Sequence, residues 1–80
     1  MTEELVGYVS GNRKREQIIQ ALSNSPLEAD KIARISRIPE RLVVRILEDL
    51  KKKGLIRVDE KVYALTETGV DVENKIRSLR

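Results

Sequence analysis

Between Lys31 and Ile56 the chain reads KIARISRIPERLVVRILEDLKKKGLI, with apolar residues recurring at helical spacing. Five cations (Lys31, Arg34, Arg37, Arg41 and Arg45) stand among them by residue 45, against one acid, Glu40. A stretch patterned this way folds as helix with one face in a core, and its opposite face carries the charge. The whole chain has a net charge of +3, and residues 31–45 alone hold +4, so the remainder is about −1. The basic excess is local, and its position says more about partners than its total does.

Little else in the composition offers chemistry. The chain has 80 residues, enough for one small domain that buries only ~60% of the surface its unfolded form exposes. Without Cys it has no disulfide and no thiolate-bound metal, and without His it lacks the usual general base and the commonest metal ligand. Adjacent acids occur at Glu48-Asp49 and Asp59-Glu60, as expected of solvated surface rather than of a catalytic pair flanking a substrate. The expectation is a protein that is not an enzyme and needs no cofactor. No apolar run approaches the ~20 residues that span a bilayer, and no leader is visible, so no membrane contact and a cytoplasmic location are expected. Charged residues make up 36% of the chain, a thermophile-like balance.

Along the chain, residues 1–9 form a lead-in whose LVGYV run reads as a short strand or an arm packed on the body. A first helix follows, with Ser10 as its N-cap and Ile18, Ile19 and Leu22 inward, and Pro26 stops it. A second helix is expected over Ala29 to Ser36, with Ile32, Ala33 and Ser36 inward. After the break at SRIP, a third starts near Pro39, which suits the first helical position, and runs to about Lys53 before Gly54 ends it. Its inward stripe is Val43, Ile46, Leu47 and Leu50. Two β-prone runs, Ile56 to Val58 and Val62 to Leu65, flank Asp59-Glu60-Lys61 and read as a hairpin, with Tyr63 and Leu65 on one face. Thr66 caps a fourth helix ending near Arg80. The fold class is therefore mainly α with a small β-hairpin.

The pieces IARISRIP (Ile32 to Pro39), Val43, Leu47 and Leu50, then GLI (Gly54 to Ile56) and YALTETG (Tyr63 to Gly69), occur in one order. With these gaps, the chain resembles a winged helix-turn-helix domain of the small archaeal and bacterial MarR and ArsR regulators. The resemblance implies a single domain over 1–80. It comprises an arm (1–9), a core (10–65) with the helix-turn-helix at 29–53 and the wing at 55–65, and a C-terminal helix (66–80). It also implies double-stranded DNA as partner and a role in regulating transcription, with the third helix entering the major groove. The stripe inside that helix leaves Arg41, Val44, Arg45, Glu48 and Lys52 outward. Arg41 and Arg45, four apart, share a face and suit guanine edges, while Lys31, Arg34 and Arg37 suit phosphates. Leu42 and Val44 stand where the family often has polar contact residues; they fit thymine methyls or, with Ile35, a protein partner. Arg57 and Lys61 are the wing's only cations, and Asp59 and Glu60 beside Lys61 weaken its hold on phosphate. Arg37 stands where the family commonly has Gly, in a turn that calls for positive φ.

Two further readings stay open. Arg13-Lys14-Arg15 crowd the first turn of the first helix, where the dipole disfavours cations, either as phosphate contacts or as a plain exterior. Val72, Ile76 and Leu79 form a stripe in the last helix that suits the seam of a homodimer or a cover for the chain's own first helix. A winged helix is also used as a protein-interaction module without DNA binding, since fold alone does not fix function.

Overall fold

The computed structural model describes residues 2–79. Its elements run α1 (Thr2–Ser10), α2 (Arg13–Asn24), β1 (Leu27–Glu28), α3 (Ala29–Ser36), α4 (Glu40–Lys52), β2 (Ile56–Asp59), β3 (Val62–Leu65) and α5 (Glu67–Ser78). The strands make one antiparallel sheet in the order β1-β3-β2. None of the described helices is long and apolar enough to cross a membrane.

The core follows the helical periodicities. Ile18, Ile19 and Leu22 of α2, Ile32 of α3, and Val43, Leu47 and Leu50 of α4 are buried together, with Ile46 half-buried at their edge. Val9, Ile38, Leu55, Ile56, Val72 and Ile76 complete the cluster. Tyr63 and Leu65 pack against it from the sheet, as their alternation requires.

Several boundaries differ from the sequence expectation. LVGYV is not a strand; it lies within helix α1 and packs on the body, because Val9 reaches the core and Leu5, Val6 and Tyr8 pack beside it. Ser10 closes α1 and caps nothing. The cap of α2 is Asn12, whose side chain accepts from the backbone N–H groups of Lys14 and Arg15 at 3.0 and 3.1 Å. Pro39 stands one residue before α4 as its N-cap, and Glu40 takes the first helical position. Strand β1 has no counterpart in the sequence expectation; Leu27 pairs with Tyr63 and Glu28 with Val62. Arg80, the expected end of the last helix, lies outside the described residues.

The end of α4 sets the position of everything after it. Gly54 takes φ 77°, and the N–H groups of Gly54 and Leu55 turn back to the carbonyls of Lys51 (2.9 Å) and Leu50 (3.0 Å). This pair of bonds satisfies two otherwise orphaned carbonyls and reverses the chain. Thr66 then joins the two halves. Its N–H donates to the Leu55 carbonyl (3.0 Å), its hydroxyl donates to the Gly54 carbonyl (2.6 Å), and the same oxygen accepts from the Gly69 N–H (3.1 Å). Gly69 is buried there because α5 comes so close that an added Cβ would stand 2.1 Å from the Leu55 carbonyl oxygen.

Gly69→Ala must push α5 off this junction and is expected to cost about 1–3 kcal/mol, read as a lower urea midpoint. Gly7→Ala, on the exposed side of α1 where a Cβ meets nothing within 4 Å, is expected to add about 0.5–1 kcal/mol. Equal midpoints for the two variants would refute the close approach.

Candidate nucleic-acid interface

Helix α4 divides its residues cleanly. Val43, Leu47 and Leu50 are 0% exposed, so the helix is held along one side. The opposite side presents Arg41, Val44, Arg45, Glu48 and Lys52 to solvent. Neither Arg41 nor Arg45 has an ion pair or hydrogen bond among the described residues. Glu48 is occupied by Lys51 at 3.6 Å. Pro39, Arg41, Leu42, Val44 and Arg45 surround one open surface depression on α4. It offers two guanidinium groups around a small apolar floor, which suits base edges and thymine methyls.

The other candidates are distributed over separate surfaces. Lys31 and Arg34 flank Ile35 on the outer face of α3. Arg34 reaches Asp30 at 3.5 Å, but both side chains are well exposed, so the pair is worth little and can give way to a phosphate. Lys52 is exposed in the last turn of α4, and Arg57 is exposed on β2. Leu42 is turned partly inward and packs against the core, whereas Ile35 is 62% exposed on α3, away from the depression that Leu42 and Val44 line. The three apolar residues expected to form a patch for a protein partner are therefore not gathered on one surface.

Arg37 ends α3 in the left-handed conformation, φ 57° and ψ 42°, and the Ile38 N–H closes back on the Ala33 carbonyl at 3.1 Å. The turn of the helix-turn-helix thus has the shape that Gly prefers, and an arginine occupies it. The wing makes a similar choice. Asp59 pairs with Val62, so Glu60 and Lys61 alone form the turn, with φ of 49° and 71°. Two positive φ values in a two-residue hairpin are the type I′ pattern, which Asn and Gly fill most easily.

Lys61 is exposed at the wing tip, but acidic side chains lie around it. It shares a depression with Glu28, Asp30, Glu40 and Tyr63, a predominantly acidic surface between the wing tip and the starts of α3 and α4. Sequence reasoning missed Glu28 and Asp30 as neighbours of the wing, because β1 brings them there through the pairing of Glu28 with Val62. The available signal was Leu27-Glu28, two residues trapped between Pro26 and the next helix.

The stripe Val72, Ile76 and Leu79 does not survive as a surface. Val72 is 0% and Ile76 6% exposed, both packed in the chain's own core, while Leu79 is 75% exposed. A seam between two copies cannot run through side chains already covered, so of the three only Leu79 is available to a second chain.

Residues 19–68 match the family described as "Sugar-specific transcriptional regulator TrmB". No curated protein sequence matches the chain. Among solved structures, quinone-bound YodB from B. subtilis superposes with a TM-score of 0.84 at 22% identity, over 96% of this chain and 89% of that one. Ligand-free NadR gives 0.82 at 22% identity, over 98% and 61%. MepR, a transcription regulator of the Staphylococcus aureus multidrug efflux pump MepA, gives 0.76 at 22% identity, over 85% and 56%. The chain thus spans most of YodB but less than two thirds of NadR and of MepR. At such identities the likeness establishes the winged helix-turn-helix fold.

Left-handed backbone costs a residue with a Cβ about 1–2 kcal/mol, part of which glycine returns as unfolded-state entropy. Arg37→Gly is therefore expected to stabilise the fold by about 0.5–1 kcal/mol, seen as a higher urea midpoint. A lower midpoint would mean that the arginine side chain more than offsets its own strain.

Proposed function

The chain belongs to the TrmB family of transcriptional regulators, and on that premise we propose that it binds double-stranded DNA sequence-specifically, with α4 in the major groove. A regulatory, DNA-binding role comes with the family; the assignment to α4 and its residues is the proposal. One observation carries it: Arg41 and Arg45 are exposed, with no partner among the described residues, on the solvent face of a helix whose other face buries Val43, Leu47 and Leu50 completely. An arginine can donate two parallel hydrogen bonds to O6 and N7 of guanine, and four-residue spacing aims both side chains along one groove. Val44, 39% exposed between them, suits a thymine methyl. Lys31, Arg34, Arg37 and Lys52 take phosphates, which fix register without reading sequence. Arg57 and Lys61 have a lesser share, Lys61 because of its acidic neighbours.

One recognition helix reads few base pairs. Two copies acting together would read half-sites about 34 Å apart, and Leu79 is an exposed apolar side chain near the chain's end that could serve their association.

Selection from a random duplex library is expected to recover a palindrome with half-sites about one turn apart. Arg41→Ala and Arg45→Ala should each relax preference at one position, by about 1–3 kcal/mol, with folding unchanged. Recovery of no preferred sequence by the natural protein would sink the reading.

Electrostatics near the wing makes a second prediction. Replacing Glu28 and Glu40 by Gln removes two negative charges beside the expected DNA path. Affinity for any duplex should rise several-fold at low salt and converge with the natural protein at high salt. An unchanged affinity at low salt would place the DNA away from the wing.

A further inference from the structure

Three cations, Arg13, Lys14 and Arg15, occupy the first turn of α2, where the positive end of the helix dipole repels them. The structure accounts for one. Arg15 donates from its guanidinium to the Tyr8 carbonyl at 3.0 Å and lies 3.9 Å over the Tyr8 ring, so it closes the C-terminal end of α1. Arg13 and Lys14 are exposed and have no partner among the described residues.

From Arg13 a polar stripe continues along α2 as Gln17, Gln20 and Asn24, at i, i+4, i+7 and i+11. These positions lie on one face of a helix and span about 16 Å. The three side-chain amides make no hydrogen bond among the described residues. Gln17 and Gln20 line two adjoining surface depressions. One reaches Arg13, and the other reaches Asn24 and then Ser36 and Arg37 at the turn of the helix-turn-helix. The result is a continuous trough with a guanidinium at each end and side-chain amides between, with Ala21 and Ile35 also in its lining. The Glu16 carboxylate borders the Arg13 end and is not free, being held by an interaction of its own.

We propose that this trough is a second DNA contact, taking phosphates of the backbone that flanks the groove entered by α4. The inference rests on the DNA-binding reading above. Amide N–H groups and guanidinium groups are the usual donors to phosphodiester oxygens, and they bind without regard to base. A polyanion also compensates what the isolated chain does not: two cations at the unfavourable end of a dipole and an arginine in a conformation suited to glycine. Continuity at Arg37 puts the trough and the helix-turn-helix on a single path, so one duplex engages both.

The test uses the full chain and a mixed-sequence duplex longer than the selected site. Salt dependence of binding and hydroxyl-radical footprints are compared for the natural protein, Arg13→Gln/Lys14→Gln, Gln17→Glu/Gln20→Glu and Arg41→Ala. Thermal midpoints check that each variant folds. Removing one cation from a phosphate lowers the slope of log affinity against log salt by about 0.9. Arg13→Gln/Lys14→Gln should therefore lower it by at least about 0.9, Arg13 being the one of the two that lines the trough, weaken all duplexes by the same factor, and abolish backbone protection outside the half-site. Gln17→Glu/Gln20→Glu should weaken binding in the same sequence-independent way, whereas Arg41→Ala changes base preference. A natural protein that binds with a steep salt slope, alongside an Arg13→Gln/Lys14→Gln variant with the same slope and footprint, overturns the trough alone. If the natural protein shows no salt-dependent binding, the DNA reading itself falls and the trough with it.

Discussion

Exclusion of water from one side of α4 underlies the rest of the structure. Val43, Leu47 and Leu50 have no exposed surface, and each such side chain is worth about 1.5–3 kcal/mol when fully buried. A domain of 80 residues has a small margin, so these three residues are a large share of it. The helix consequently cannot roll. A rotation by one residue would draw a buried side chain into water and press a charged one into the core. What fixes the core thereby fixes the direction of Arg41 and Arg45, and no separate device is needed to aim them.

The same economy appears at the ends of the helices. Gly54 lets α4 stop and reverse, and Thr66 draws the return strand and α5 onto that corner through three hydrogen bonds. The wing is thus placed by the end of α4. On the other side, Tyr8 lies between Arg15, 3.9 Å from its ring centroid, and Lys53, 5.1 Å away. Its ring face attracts both cations and ties α1 to the residue that follows α4. Helix α1 and the C-terminal end of α4 are therefore joined at one aromatic ring.

The helices that carry a 3.6-residue stripe were legible in the sequence, as were Gly54 as a terminator and Thr66 as a cap, because each depends on local chemistry. Elements that depend on distant partners were not. Residues 2–10 hold Gly7 and the β-branched Val6 and Val9, which declare no helix locally, and their conformation is settled by contact of Val9 with the core and by packing against α5. Strand β1 has two residues and exists only because β3 lies beside it. The stripe of α5 was visible, but its destination was not: periodicity states that a face is apolar and is silent on whether the chain itself or a second copy covers it. At the interface, the exposed arginines of α4 followed from periodicity, while the acidic surface around Lys61 required knowing that β1 pairs with the wing.

Charge and strain then divide the molecule's exposed side into unlike parts. Glu28, Asp30 and Glu40 surround Lys61 at the wing, whereas Arg13 and Arg37 stand at the ends of the α2 trough. A polyanion approaching α4 meets repulsion on one flank and attraction on the other, within a screening length of about 10 Å at moderate salt. On the proposed reading, a duplex on α4 would therefore be held more tightly on the side of the turn at Arg37 than on the wing side. That turn is also where left-handed backbone is held by an arginine when a glycine would fold more easily. Strain kept at such a position is informative when a function explains it, and a cation at the junction of the two proposed phosphate-contacting surfaces would supply one. For the wing tip, where Glu60 and Lys61 carry the same kind of strain among acidic neighbours, no comparable explanation arises from charge. Its left-handed pair suits the twist of a two-residue hairpin.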